Sequence, residues 1–479
     1  MAPYMKVGGL ADVMGALPRE LVRLGHQVAV AIPLYPGMDH ERPAGFKILK
    51  EWSIGLTLGE ERHSARVIHA CETMSRVEIL MVEHPGFYHR PNPYIDPETG
   101  KDWPDNALRF IFFCRAVEEV VRRDLWRAEL VHLHDNHTAP LATFLARGIG
   151  PRPGIVLTIH NIGYQGMYPL GEVRRLGFPE NWLYPAGPVE FWKQANFLKM
   201  GVTDSDVLTT VSPRYAKDIV SKEYGFGLED LLQERAGDLV GILNGIDMEV
   251  WNPATDPMIP YPYRPSDFQN KRLNKERLLQ AMELPVEMDI PIVGMVTRLV
   301  DQKGFDLIES AAKEMITGDR LKLIVLGTGE PRYEKLMRKL RTQYPQSIGV
   351  SIGFSEPMAH LVEAGSDFFL MPSLYEPCGL NQMYSYRYGT VPIVRATGGL
   401  ADTVFEFEPI SGRGTGFVFE PYKREAMLKA IQRAVDVYGK PRTFKKLVSK
   451  IMQLDYSWGQ TALRYLDIYK QAIERSRAL

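Results

Sequence analysis

The sequence predicts an α/β protein of two doubly wound layers, each a parallel sheet with helices on both faces. Short β-branched or apolar runs alternate with longer amphipathic stretches from one end of the 479 residues to the other, the pattern of successive βαβ units. A Pro- and Tyr-rich stretch of little periodicity divides these runs into two sets. The composition, 45% hydrophobic and 24% charged, is that of a globular protein, and the length exceeds one ordinary domain.

Strands are expected in the first set at 26–32, 77–82, 130–134, 155–160, 206–211 and 239–243, and in the second at 291–297, 321–327, 348–352, 367–371 and 391–394. Between them Asn244-Gly245-Ile246-Asp247 and Trp251-Asn252-Pro253 open a hinge that runs through Pro265. The domains are therefore expected at 1–243 and 244–455. Residues 456–479 form a separate C-terminal helix, with apolar positions at Leu463, Leu466 and Tyr469.

Charge narrows the function. Lys+Arg at 57 against Asp+Glu at 58 leave a formal charge of -1, so no long-range field gathers nucleic acid or an anionic membrane; a bound anion must meet a local site. Cys71, Cys114 and Cys378 are too few and scattered for a disulfide framework or a thiolate metal site, which favours a reducing compartment, the cytoplasm. No window approaches the roughly 18–20 apolar residues of a membrane helix, and the first six residues have no signal-peptide character.

Three loops carry chemistry. Lys6-Val7-Gly8-Gly9-Leu10-Ala11-Asp12 leads into a helix ending near Leu24-Gly25. Gly8 and Gly9 let backbone N–H groups approach an anion at that helix N-terminus, and Lys6 adds a full charge, although such turns also serve merely to join elements. Arg298 and Lys303 fall on the loop after the strand at 291–297, at the carboxyl end where open α/β sheets bind ligands. Two fixed cations there suit a diphosphate that gains charge as it departs; a solvated surface loop is the alternative. In Ser373-Leu374-Tyr375-Glu376-Pro377-Cys378-Gly379-Leu380-Asn381-Gln382, Glu376 precedes a helix start, where it can accept from sugar hydroxyls while Gly379 and Leu380 offer backbone donors. An acid that only satisfies the helix dipole has the same pattern. Cys378, with no base as sequence neighbour, reads as a packed thiol. Gly8-Gly9-Leu10-Ala11-Asp12 is echoed by Gly398-Gly399-Leu400-Ala401-Asp402, and both read as tight turns feeding helices.

Taken in order, Lys-Val-Gly-Gly-Leu at 6–10, His-Asn-Ile-Gly-Tyr-Gln-Gly at 160–166, Asn-Gly-Ile-Asp at 244–247, the 298–304 loop, Glu-Pro-Cys-Gly-Leu at 376–380 and Thr-Gly-Gly-Leu at 397–400 resemble the bacterial glycogen synthase and plant starch synthase family over essentially the whole chain. The resemblance implies a GT-B fold: two Rossmann-like domains with parallel sheets facing an interdomain cleft, the last helix crossing back to the first. It implies retaining transfer of glucose from ADP-glucose to the nonreducing 4-hydroxyl of an α-1,4-glucan, with no metal or other cofactor. Carried over, it makes Lys6 a donor-binding lysine of the loop with Gly8 and Gly9. Arg298 and Lys303 become the clamp on the diphosphate, and Glu376 the holder of the transferred glucose. His160 lies beside the sugar with Asp135 and His137 nearby, and Asn244 near the domain junction. Cys378, Gly379, Leu380, Thr397, Gly398 and Gly399 complete the binding set.

Some positions depart from that family. It has a hydrophobic strand and a Ser-Glu ahead of the Gly-rich loop, where this sequence has only five residues; the expectation is that a central first strand is missing and the reading frame continues upstream. Asn136 stands where Trp is frequent, Asn381 where Thr is, and Tyr384 where another GT-B branch has a second glutamate. His132-Leu133-His134-Asp135-Asn136-His137 also resembles the His-x-His-x-Asp-His cluster of metallo-β-lactamase-like hydrolases, but Asn136 replaces its carboxylate ligand. A metal-dependent hydrolase and a catalytically idle glucan-binding protein are the rival readings. For the latter, Tyr88, Tyr94, Trp103, Trp182, Tyr184 and Trp192 supply aromatic faces, most of them accountable to core packing.

Overall fold

The computed structural model describes residues 1, 4–5, 7–36, 38, 45–185, 187–317 and 320–478. The chain forms two compact units, one of Met1–Val211, Ala216–Gly245 and Trp458–Leu479, the other of Ser212–Tyr215 and Ile246–Ser457. The main crossing falls two residues beyond 243, and the short 212–215 segment belongs to the second unit.

In the first unit the strands are β1 (Ala29–Pro33), β2 (Phe46–Leu58), β3 (Glu61–Glu72), β4 (Glu78–Glu83), β5 (Leu130–His134), β6 (Gly154–Ile159), β7 (Met167–Pro169), β8 (Glu190–Phe191), β9 (Gln194–Asn196), β10 (Val207–Thr210) and β11 (Leu239–Gly241). The single parallel sheet expected here is divided. One four-stranded sheet runs β1-β4-β3-β2, another β11-β10-β6-β5, and β7-β9-β8 form a small third. The second is wholly parallel, whereas β2 and β3 make a long antiparallel hairpin that continues onto β4. That hairpin is a correction to the parallel reading. Its strands interleave charged and exposed residues with buried ones, and so lack the apolar runs that marked the parallel strands.

The helix Gly9–Arg23 stops at Leu24, and Gly25 follows at φ 92°, where glycine bears no Cβ penalty. Its Val13, Leu17 and Leu21 share a core with Val156, Val207 and Ile242 of the central sheet. Trp458, Ala462, Tyr465, Ile468 and Ala472 of the terminal helix Trp458–Ala478 fill the remainder. Leu463, expected on the buried face, is 47% exposed; the true stripe lies one residue to its N-terminal side, while Leu466 and Tyr469 pack at its edge. The helix backbone lies so close to β6 that a Cβ on Gly154 would stand 2.8 Å from the carbonyl of Ala472.

The second unit is a single parallel sheet of β12 (Ile292–Val296), β13 (Lys322–Gly327), β14 (Ile348–Ile352), β15 (Phe368–Met371), β16 (Val391–Arg395) and β17 (Phe417–Phe419), in the order β14-β13-β12-β15-β16-β17. The strand order reverses between β12 and β15. At such a switch point the connections leave to opposite faces and open a crevice beyond the carboxyl ends of the two strands. Gly154→Val should lower the stability of the first unit by about 1–3 kcal/mol, read as a drop in thermal midpoint, because β6 and the terminal helix have no slack between them.

Candidate functional site

The crevice beyond β12 and β15 is lined by Val296, Thr297, Lys303, Ser373, Glu376, Gly379, Leu380 and Asn381. Two loops build it, and they are stitched together. Gln302 donates from Nε2 to the Tyr375 carbonyl at 3.0 Å, and its own carbonyl accepts the Leu374 N–H at 2.8 Å. Gly304 turns at φ 74° against the Pro372 carbonyl, which a Cβ would approach to 2.2 Å, so only glycine closes this turn. Asn381 ties the following helix, Asn381–Tyr388, back to β12 by donating to the Val296 carbonyl at 2.7 Å.

The stitching sets Lys303 Nζ 2.6 Å from Glu376 Oε2, and Ser373 Oγ donates to the same oxygen at 2.8 Å. The Lys303 and Glu376 side chains retain 15% and 9% of their exposure. Burying two charges this far is tolerable only while they neutralise each other. Arg298 stands exposed just past β12. Gly379, at φ 68°, and Leu380 precede the helix Asn381–Tyr388, whose first N–H groups have no intrahelical acceptors. Gly398 and Gly399 head the next helix against the Glu376 loop: a Cβ on Gly398 would lie 1.9 Å from the Glu376 carbonyl, and one on Gly399 2.1 Å from that of Cys378. Thr397 and Cys378 are buried beside them, so what Cys378 presents outward is backbone. The fold itself therefore demands the second Gly-Gly pair. At Gly8 it makes no such demand: the backbone is extended, at φ -173°, and nothing stands within 4 Å of a Cβ. The sequence echo is thus not one of geometry. Lys6 lies outside the described residues.

In the first unit, Asp135 follows β5 in the left-handed region at φ 57°. Its Oδ1 accepts the His160 N–H at 2.7 Å and the Asn161 N–H at 3.4 Å, fixing the turn after β6. His160 Nε2 lies 3.0 Å from His134 Nδ1. Burial holds His160 down at about 3 and His134 well below its ordinary value, so both rings are neutral, one donating and the other accepting. Burial likewise pushes the Asp135 carboxyl up to about 7, against the two N–H groups that pull it down. His137 packs against Tyr94 and Phe110, with ring centroids at 5.7 and 5.9 Å. Asn136 donates to the Tyr164 carbonyl, and Gly166 turns at φ 65° over its amide. His132 spans from the Tyr469 hydroxyl to Thr158 Oγ1. The rings of His132, His134 and His160 are spent on hydrogen bonds, and that of His137 on aromatic packing; no three His, Cys, Asp or Glu among the described residues are grouped to hold a metal ion. Asn244 is buried with its Oδ1 unpartnered among the described residues. Tyr384 stacks on Trp251 at 3.8 Å.

The sequence suggests no role for Ser373 or Gln302, and for His134 only a place in the rival metal cluster. Each acts through a neighbour, and only the proximity of two loops reveals that; Ser373, three residues before Glu376, was the most readable. A wider concavity of about 370 Å³, lined by residues including Pro257, Met258, Arg277, Ser355 and Leu361, has Arg277 as its one charge among the described residues and no acid or base to work with.

The family description "Starch synthase catalytic domain" matches residues 1–234, and "Glycosyl transferases group 1" matches residues 280–448. Glycogen synthase 1 of Methylococcus capsulatus is 40% identical over an alignment covering 98% of this chain and 94% of its own. Glycogen synthase of Hydrogenovibrio crunogenus is 41% identical, with 98% of each chain covered. Among solved structures, the catalytic domain of starch synthase IV from Arabidopsis thaliana, bound to ADP and acarbose, superposes with a TM-score of 0.89 at 31% identity, covering 99% of this chain and 98% of that one. Sucrose-phosphate synthase from Thermosynechococcus elongatus, at 17% identity and a TM-score of 0.61 over 98% of this chain and 94% of that one, shares the fold alone.

Asp135→Asn gives a pH test of the first-unit turn. Asn tolerates the left-handed backbone and keeps the accepting oxygen. A carboxyl raised from 3.8 to about 7 contributes its full stability below the lower value and loses it as pH climbs through the upper. The thermal midpoint of the wild type should therefore fall relative to that of Asp135→Asn between about pH 4 and about pH 8; parallel curves would contradict the raised carboxyl.

Proposed function

We propose, from the premise that this chain belongs to the glycogen and starch synthase family and is a glucosyltransferase of the glycogen synthase type, that the crevice at the β12/β15 switch point binds the diphosphate and glucose of ADP-glucose. The Lys303–Glu376 pair is the observation that carries this reading. Lys303 and Glu376 are each other's counterion. An arriving diphosphate gives Lys303 a second anionic partner, and Glu376 can then accept from glucose hydroxyls.

The reaction breaks the bond from glucose C1 to the diphosphate oxygen, and the electron pair leaves with ADP. A new bond forms from the 4-hydroxyl oxygen of the α-1,4-glucan to C1 on the same face, the hydroxyl proton passing to the departing phosphate oxygen, so configuration is retained. Charge develops on the departing phosphate. On this reading Arg298, Lys303 and the first N–H groups of the helix Asn381–Tyr388 stabilise that charge, with Gly379, Leu380, Thr397, Gly398 and Gly399 completing the binding set. His160, neutral at working pH, serves the sugar as a hydrogen-bonding ring rather than as a cation, and Asp135 acts by fixing its backbone. Gly8, whose geometry the fold leaves unconstrained, lets a ligand approach the backbone there, and Lys6, His137 and Asn244 keep their expected binding roles. The reading places the reaction in the cytoplasm, where the three cysteines, none of them in a disulfide, stay reduced. Among the described residues no helix is long and apolar enough to cross a membrane.

Lys303→Ala or Glu376→Ala should cut ADP release from ADP-glucose with glycogen by about 100-fold or more. Either change alone also strands a buried charge, at about 3–5 kcal/mol. The double variant Lys303→Met with Glu376→Gln removes both charges and should hold its thermal midpoint better than either alanine variant while remaining as inactive. Near-normal turnover in the double variant would reject the assignment.

A further inference from the structure

The small sheet of the first unit presents an aromatic ring in an unusual way. β8 and β9 pair as a hairpin, Phe191 opposite Gln194, joined by Trp192 and Lys193 alone. Both joining residues have positive φ, 47° and 64°. A two-residue turn of this kind ordinarily takes Asn-Gly, and a bulky side chain there is strained. Trp192 returns nothing to the core, since it is 74% exposed. Strain held at an exposed position points to function rather than packing.

The ring is nevertheless fixed. It stacks on Phe191 at 4.9 Å and 12°. Both rings lie against the backbone at Gly227, where a Cβ would come within 3.0 Å of Phe191 Cζ and 3.1 Å of Trp192 Cη2. The neighbouring Phe226, also at positive φ (51°), is 46% exposed. Gln165 binds the two segments together: its Nε2 donates to the Phe226 carbonyl at 3.1 Å, and its Oε1 accepts from Asn196 Nδ2, at the end of β9, at 2.7 Å. Gln165 belongs to the same loop as His160. Tyr164, beside it, is 53% exposed. A rigid, flat apolar surface is thus continuous through one buried amide with the turn that carries His160.

Pyranose rings offer an apolar C–H face that stacks on such a surface, and an acceptor polymer extends beyond its reacting end. We infer that Trp192, backed by Phe191 and flanked by Phe226, is a stacking subsite for a glucose unit of the α-1,4-glucan acceptor distant from the end that receives glucose. This rests on the glucosyltransferase reading above.

The test compares the full-length wild type with Trp192→Asn, which suits the turn but lacks the ring, and Trp192→Tyr, which keeps a ring. Maltotriose and maltoheptaose are the probes, read by calorimetric Kd and by acceptor KM in ADP release. Trp192→Asn should weaken maltoheptaose about ten-fold and maltotriose much less, with a thermal midpoint equal to or above the wild type's as strain is relieved; Trp192→Tyr should retain most of the affinity. Unchanged maltoheptaose binding in Trp192→Asn overturns the subsite. So does equal loss for both sugars in both variants with a lowered midpoint, which marks a structural ring. So does a wild-type dimer that Trp192→Asn dissociates without changing the maltoheptaose Kd, which marks a contact between copies. Absence of ADP-glucose turnover by the wild type with any acceptor would instead sink the underlying reading, whereas normal wild-type turnover beside an indifferent Trp192→Asn sinks only the subsite.

Discussion

Lysine and glutamate held 2.6 Å apart where two parallel strands end set the terms for the chemistry of the second unit. Neither charge would be tolerated there alone. The pair exists because the loops after β12 and β15 are locked to each other by Gln302 and Gly304, while Ser373 holds Glu376 within its own loop, and those loops meet because the strand order reverses between them. Topology thus produces the crevice, and local stitching produces the pair.

The first unit uses a different device for a related end. Asp135 gives up ordinary backbone geometry and an ordinary ionisation to grip the N–H groups of His160 and Asn161. Neutral His134 then orients the His160 ring. A positive-φ aspartate, a positive-φ tryptophan and a positive-φ phenylalanine all lie on or beside the β6 loop and its hairpin. Local strain is concentrated there, as it is where a surface is shaped for a ligand.

Much of this was legible in the sequence. The parallel strands declared themselves as short, mainly apolar runs between longer amphipathic stretches, and 130–134 and 348–352 coincide with β5 and β14 to the residue. β2 and β3 escaped because a half-solvated antiparallel hairpin interleaves charge with apolar residues. Leu463 was misjudged because the helical stripe drifts, and composition cannot say which of several apolar positions faces inward. Within the site, Arg298, Lys303 and Glu376 were readable as charges at strand ends. The contact between Lys303 and Glu376 was not, since it joins residues 73 apart in sequence. The roles of Gly398 and Gly8 also diverge only in three dimensions: one glycine is forced by a neighbouring carbonyl, the other is left in open space.

The most direct measurement is a crystal structure of the full chain soaked with ADP. The account predicts phosphate oxygens within hydrogen-bond reach of Arg298, of Lys303 and of the N–H groups that open the helix Asn381–Tyr388, with Glu376 turned toward the position of the missing sugar. Nucleotide density elsewhere, or a diphosphate that neither Arg298 nor Lys303 touches, would contradict it.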